Sequence, residues 1–589
     1  MTTTPSGAPD SAAEPSPAAE RSPVAEPSPS VEPSPAVDRS SAVERSPSVE
    51  RSSADVAEWD HVIVGGGSAG ALVAARLAAH GSGTVLLLEA GPDQPSPRDR
   101  AHPLADAGRL VLAGFNWDYR ANLRTSGRLE DLVKGGDGAG APARALWERF
   151  PYQLGKVIGG GSAVNGAIAL RGLPRDFAAW AAQGNPDWSW ERVLPFYRAI
   201  ENDVDFPGGP PHGDSGPLPI RRTPRERVHP LDAAFWDECN RQGVTDLLDL
   251  NSGQEAGVGP IPGNTVDGER IDASTAFLSE ARDLPHLHVR PGVRVTRVLF
   301  DLKDRNRAVG VETERDGRLG TVRARNVVLA AGAVGTPVVL QRSGVGDAAL
   351  IGALGITPVA DLPGVGRDLV DHPSVVIWSR PADGVCTPGL PWRQVAARMS
   401  SGYDDEVDVQ LGLLNNVESH TIPGFVDRLG WPLVVGMSVM LMRPRSRGRV
   451  FLDSADPLAA PVIELGLGTD SEDVERLCHG VRRAWGFLRS PGLSGRLTRT
   501  QFWSDRMIAN DGVLRSGVRH IMNPGWHAAG SCRMGPDTDP YAVADQEGRV
   551  HGTENLRIAD ASLFPVIPSA PTNLTTLMLA EKLARSMKE

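Results

Sequence analysis

Gly65-Gly66-Gly67-Ser68-Ala69-Gly70 has the residue types and spacing to hold a pyrophosphate, and a carboxylate, Glu89, follows 19 residues after Gly70. Gly65 suits a tight turn, and Gly67 lets backbone come close to phosphate oxygens. Gly70 lets the following helix pack closely on the preceding strand, so that the helix N-terminus faces the anion. Glu89 ends the apolar run Thr84 to Leu88, where a strand-end carboxylate takes the ribose hydroxyls of an adenosine. A bare glycine turn needs no such partners. This one has the strand His61 to Val64 before it and a helical run, Ala71 to His80, behind it. The chemistry is dinucleotide binding. A second polar constellation, His527 with Asn573, stands near the end of the chain.

Strands and helices must carry these residues, and from Trp59 onward they alternate. Residues 59–91 form one nucleotide-binding piece. Asn326 to Ala330 is a second strand, running into Ala331-Gly332-Ala333 and a helix, after a β-rich stretch with Val293, Val295 and Val298 at alternating positions. Leu556 to Asp560, a loop, and a helix from Thr575 to Met587 make the third piece. The expected fold is α/β, with a Rossmann-like domain assembled from discontinuous segments: 56–175, 285–372 and 521–589. The segments 176–284 and 373–520, which hold most tryptophans and irregular Pro/Gly turns, are expected to form an α+β substrate or cap domain with an antiparallel sheet.

Composition bounds the partners. A chain of 589 residues, 40% hydrophobic, has the length for two or three domains. A net charge of −11 argues against a nucleic-acid partner, which needs a basic face. Cys239, Cys386, Cys478 and Cys532 are far apart, with no CxxC pair and no metal-ligand grouping, and read as free thiols of a reducing compartment. The richest apolar stretch, Pro432 to Met442, is far short of the ~20 residues of a membrane span, so no integral membrane segment is expected. The N-terminus lacks a basic segment followed by an apolar one, and a cytoplasmic location is expected. Residues 1–55 repeat an acid every six positions, from Glu14 to Glu50, among proline, serine and alanine. They have too little apolar surface to offset chain entropy, and a disordered tail is expected.

Four ordered motifs resemble the glucose–methanol–choline (GMC) flavin oxidoreductases. Gly155 to Gly166, with Gly159-Gly160-Gly161-Ser162 at its centre, is similar to their first signature, and Gly332 to Pro337, continuing to Ser343-Gly344-Val345-Gly346, to their second. Trp526-His527-Ala528-Ala529-Gly530 resembles their C-terminal histidine block. Asn555 to Ser562, with Pro571-Thr572-Asn573-Leu574-Thr575, resembles the block that closes the flavin site. The resemblance runs from about residue 59 to the end.

It implies an FAD-dependent enzyme that oxidises an alcohol to an aldehyde or ketone by hydride transfer to flavin N5. Dioxygen, a quinone or another redox carrier would take the electrons. His527 matches the family's catalytic histidine and would accept the hydroxyl proton, with an unperturbed pKa of ~6.5 near working pH. Asn573 holds the partner position and would orient the substrate oxygen. Gly65, Gly67, Ser68 and Ala69 would hold the pyrophosphate, Glu89 the adenosine ribose and Val295 the adenine. Gly160, Asn165, Gly166 and Ala167 would run along the flavin. Asp560 and Ala561 would meet the ribityl–phosphate region, Thr575 the pyrimidine edge, and Trp526 counts among the cofactor contacts. Val164 stands where some members carry a histidine that binds FAD covalently, so the FAD is expected to be non-covalent. No metal is expected. His372, in an Asp-His-Pro turn, reads as structural. The same scaffold also hosts lyases of the hydroxynitrile lyase and photodecarboxylase types, and a flavin-bound protein without turnover is the remaining alternative.

Overall fold

The computed structural model describes residues 58–94, 104–108, 114–125, 150–422 and 430–587. The expected tail, residues 1–55, lies outside them. The content is mixed α/β with several sheets.

Runs rich in valine, isoleucine and leucine build the centre of a seven-stranded sheet. Trp59–Val64 pairs in parallel with Val85–Leu88 on one side and with Arg318–Leu329 on the other. Leu287–Arg290 adds outside Val85–Leu88, and Leu556–Ile558 runs beside Val327 to Leu329, both in parallel. Val62, Ile63 and Val85 to Leu88 are at most 1% exposed, as strands covered on both faces must be. The expected strand 326–330 is the end of this longer one, Arg318–Leu329. Its first half pairs antiparallel with Ala308–Arg315, which in turn pairs with Arg294–Phe300.

The helix Ser68–Ala79 packs on this sheet and on the helix Thr572–Ser586. Its approach is set by Gly70, where a Cβ would lie 1.9 Å from the Gly65 carbonyl oxygen. The second helix begins at Thr572, three residues earlier than expected, because Pro571 supplies the extended cap and Asn573 folds into the first turn. Gly65, Glu89 and Ala330 each follow the last residue of a parallel strand, and Asp560 comes two residues after another. They therefore gather at the carboxyl edge, where open α/β sheets bind ligands.

A second sheet is antiparallel, in the order Leu497–Thr500, Pro373–Pro381, Leu433–Leu441, Val407–Glu418, Val395–Ser400, Gly257–Pro260. Period-two alternation divides its residues. Val375, Ile377, Val409, Leu411, Met437 and Val439 enter a core shared with the helix Ser471–Leu488. Ser374, Val376, Trp378, Gln410, Ser438 and Met440 face a cavity on the other side. The apolar stretch 432–442 is thus a buried strand, and among the described residues no helix is long and apolar enough to cross a membrane. Away from the cavity, the buried carboxylates Glu201, Asp203 and Asp249 surround His212 and are matched by Arg171 and Arg222.

Candidate active site

A cavity of about 530 Å³ runs between the carboxyl edge of the parallel sheet and the inner face of the antiparallel one. Cofactor and ligand sites occupy roughly 300–1,000 Å³. Gly65, Gly67, Ser68, Ala69 and Glu89 line it, as do Gly160, Asn165, Gly166, Val295, Asp560 and Ala561. Trp526, His527 and Asn573 join them. Two expected residues do not. Ala167 is buried beside Asn165, whose Oδ1 accepts from its N–H at 2.9 Å. Thr575 is fully buried, its Oγ1 2.7 Å from the Tyr197 hydroxyl, and Thr576 lines the cavity instead.

The wall at the carboxyl edge fits a dinucleotide. A Cβ on Gly160 would come within 2.5 Å of Gly67 Cα, so two glycine loops distant in sequence meet backbone to backbone and leave a cradle free of side chains. Glu89 Oε2 accepts from Gly66 N at 2.8 Å and Oε1 from Gly91 N at 2.7 Å. Burial pushes its pKa up to about 7 despite these bonds. Each oxygen keeps a second lone pair for a ribose hydroxyl. Asp560 accepts from Gly332 N, the Thr336 hydroxyl and Ser562 N at 2.6–2.8 Å, which ties it to the start of the helix Gly332–Arg342.

Around His527 the hydrogen bonds define a tautomer. His372 Nε2 lies 3.1 Å from the Pro568 carbonyl, which can only accept, so this nitrogen carries a proton. Burial holds the His372 pKa at about 4, so the ring is neutral and its Nδ1 is bare. His527 Nδ1, 2.9 Å away, must then be the donor, which leaves His527 Nε2 with a free lone pair. Burial, His372 and Arg393 hold the His527 pKa well below the usual histidine value. The preceding Trp526 has φ +58°, a strained conformation for a bulky side chain. Asp371 pins this turn: its Oδ1 accepts from Gly525 N at 3.1 Å and His527 N at 2.9 Å, and its Oδ2 from the Tyr152 hydroxyl at 2.6 Å. Asn573 is fixed too. Ser162 N donates to Ser68 Oγ, which donates to Asn573 Oδ1 at 2.9 Å, so the amide N–H₂ remains as the donor.

Sequence reasoning missed three of these parts. His372 reads as a structural histidine but bonds the His527 ring, Asp371 holds the His527 backbone, and Tyr152 donates to Asp371. Ser68, expected at the pyrophosphate, lines the cavity, and its hydroxyl engages Asn573. The signal was faint: Asp371-His372 is a titratable pair set in the apolar segment 369–377.

Comparison with known proteins identifies the family. The GMC oxidoreductase family models match residues 59–374 and 444–580. The 5-(hydroxymethyl)furfural oxidase of Methylovorus sp. (strain MP688) is 34% identical over 89% of this chain and 98% of its own length. The oxygen-dependent choline dehydrogenase of Vibrio vulnificus (strain YJ016) is 32% identical over 89% of this chain and 93% of its own. Among solved structures, pyridoxine 4-oxidase from Mesorbium loti superposes with a TM-score of 0.77 at 27% identity, covering 90% of this chain and 99% of that one. The chain belongs to the GMC oxidoreductases, a family of FAD-binding flavoproteins.

Proposed function

We propose that this protein oxidises the CH–OH group of a small alcohol to an aldehyde or ketone, with His527 accepting the hydroxyl proton at Nε2 and Asn573 donating to the substrate oxygen. The observation that carries the reading is the bond from His527 Nδ1 to His372, which leaves Nε2 as the basic nitrogen of a residue lining the cavity. Bound FAD would supply the hydride acceptor. Backbone at Gly65, Gly67 and Ala69 would hold its pyrophosphate, Glu89 its ribose, and Gly160, Asn165 and Gly166 its ring. Val164, which lines the cavity without a nucleophile, supports non-covalent attachment. The segments 56–175, 285–372 and 521–589 form the cofactor-binding part in this reading, and 176–284 with 373–520 the substrate-facing part.

The hydroxyl loses its proton to His527 as the C–H bond gives up hydride, so the carbonyl forms without a free alkoxide. Asn573, its Oδ1 held by Ser68, keeps the oxygen in one orientation through the transfer. The names of the relatives support an alcohol: 5-(hydroxymethyl)furfural, choline and pyridoxine all carry one. The test is His527→Ala, measured as anaerobic flavin reduction by a substrate alcohol. The variant should keep its flavin spectrum and reduce roughly 10²–10⁴-fold more slowly. Reduction at the wild-type rate would overturn the assignment.

A further inference from the structure

On the antiparallel sheet, Gln410 and Gly412 share a face, and Gly412 pairs with the cavity-lining Ser438. Arg393 lies over Gly412, where a Cβ would come within 3.4 Å of its Nε and Nη2. Arg393 lines the cavity together with Trp526 and His527. Its Nε and Nη2 are buried, yet neither finds an acceptor among the described residues. The acid that acts on it, Asp232, makes no ion pair with it. Asp232 is fully buried, accepts from Asn415 Nδ2 at 2.8 Å, leaves its Oδ1 without a partner among the described residues, and is pushed up to about 8 by burial. A second buried donor in the same cavity, Trp526 Nε1, also lacks an acceptor.

Buried donors left unmatched are costly, and a guanidinium most of all. A guanidinium whose residue lines the cavity and that has no acceptor among the described residues calls for one that arrives with the ligand. The guanidinium fork matches a planar two-oxygen anion. The geometry points to an alcohol that carries a carboxylate, seated on Arg393, as the substrate of this site. This rests on the alcohol oxidation proposed above and names its substrate class. A carboxylate on Arg393 would also cancel the positive charge that disfavours a proton on His527, so that the base gains strength when the correct substrate is in place.

The experiment uses the FAD-loaded enzyme and two matched pairs, glycolate with glycolamide and 4-(hydroxymethyl)benzoate with 4-(hydroxymethyl)benzamide. Binding of the non-oxidisable pair benzoate and benzamide is followed by calorimetry. The carboxylate of at least one oxidisable pair should be preferred roughly 10–100-fold in kcat/KM, mainly through KM, and benzoate should bind more tightly than benzamide by a similar factor, the range of one buried charge-assisted pair. Arg393→Gln should bring both ratios to near parity, and Arg393→Lys should retain part of each. The inference fails if neutral alcohols reduce the flavin with no carboxylate preference, or if the preference survives in Arg393→Gln. It fails too if that variant loses FAD or shifts its flavin spectrum with the ratios intact, which would mean that Arg393 serves the cofactor. Arg393-dependent benzoate binding in a protein that no alcohol reduces would uphold the anion site and overturn the oxidation reading.

Discussion

Gly65, Gly67 and Gly160 present backbone to one end of the cavity, whereas Trp378, Arg393 and Gln410 present side chains to the other. The first wall is made where parallel strands end, and its shape depends on the absence of Cβ atoms at fixed spacings in short segments. The second is one face of an antiparallel sheet, where any residue pattern of period two builds the floor and the identities are free to follow the substrate. In the proposed reading, the backbone wall should tolerate few substitutions and hold the cofactor, and the side-chain wall should tolerate more and set specificity.

One substitution behind the backbone wall and one on the side-chain wall test this contrast most severely. Gly70→Val should yield protein without FAD or a marked loss of melting temperature, because its Cβ meets the Gly65 carbonyl at 1.9 Å. Gln410→Ala on the antiparallel sheet, which removes a cavity-lining side chain and brings no new atom against backbone, should keep FAD and alter substrate KM. Equal tolerance at both positions, in FAD content and thermal unfolding, would erase the distinction. His372→Ala comes next. It removes the acceptor that fixes the His527 tautomer and should slow anaerobic flavin reduction by roughly 10–100-fold at unchanged FAD content, a part of what a positioned base contributes. A normal rate would return His372 to a packing role.

Glu89→Ala should weaken FAD retention by about 1.5–3 kcal/mol, measured by dialysis against flavin-free buffer. It should also lower the melting temperature, because Gly66 and Gly91 lose the acceptor of their N–H groups. The smallest effect sharpens the cofactor side alone: acid precipitation should release the FAD into the supernatant, since Val164 offers no bond to it. Colour kept in the pellet would contradict that.

The parts of the fold that were legible are those whose function needs local sequence. The Gly65–Gly70 loop, the strand ending at Glu89 and the block around His527 carry their own spacing, and the structure brings them to one cavity. The antiparallel sheet was expected only as a class. Its register and its cavity-facing set come from strands far apart in the chain, which no window of sequence holds together. Contacts across the chain were equally hidden: Ser68 to Asn573 spans 505 positions and His372 to His527 spans 155. Thr575 was misplaced relative to the cavity for a simpler reason. The helix starts at Thr572, and its periodicity turns Thr575 toward Tyr197 and Thr576 toward the cavity.

In the proposed mechanism His527 acts as a neutral base whose proton affinity the fold has lowered. Burial comes first among the causes, then His372 and Arg393, while Asp371 binds only the backbone of the turn. A histidine with a depressed pKa loses its proton at lower pH, so the competent form is already complete near neutrality. The measurement is the second-order rate of anaerobic flavin reduction at low substrate, which reports the substrate-free enzyme, against pH in wild type and His527→Ala. In wild type it should be level through neutrality and fall only in more acid solution, below the ~6.5 of an unperturbed histidine. That acid limb should be missing from the slow variant. A wild-type rate that climbs through an ionisation at or above ~6.5, or an acid limb that persists without His527, would contradict the account.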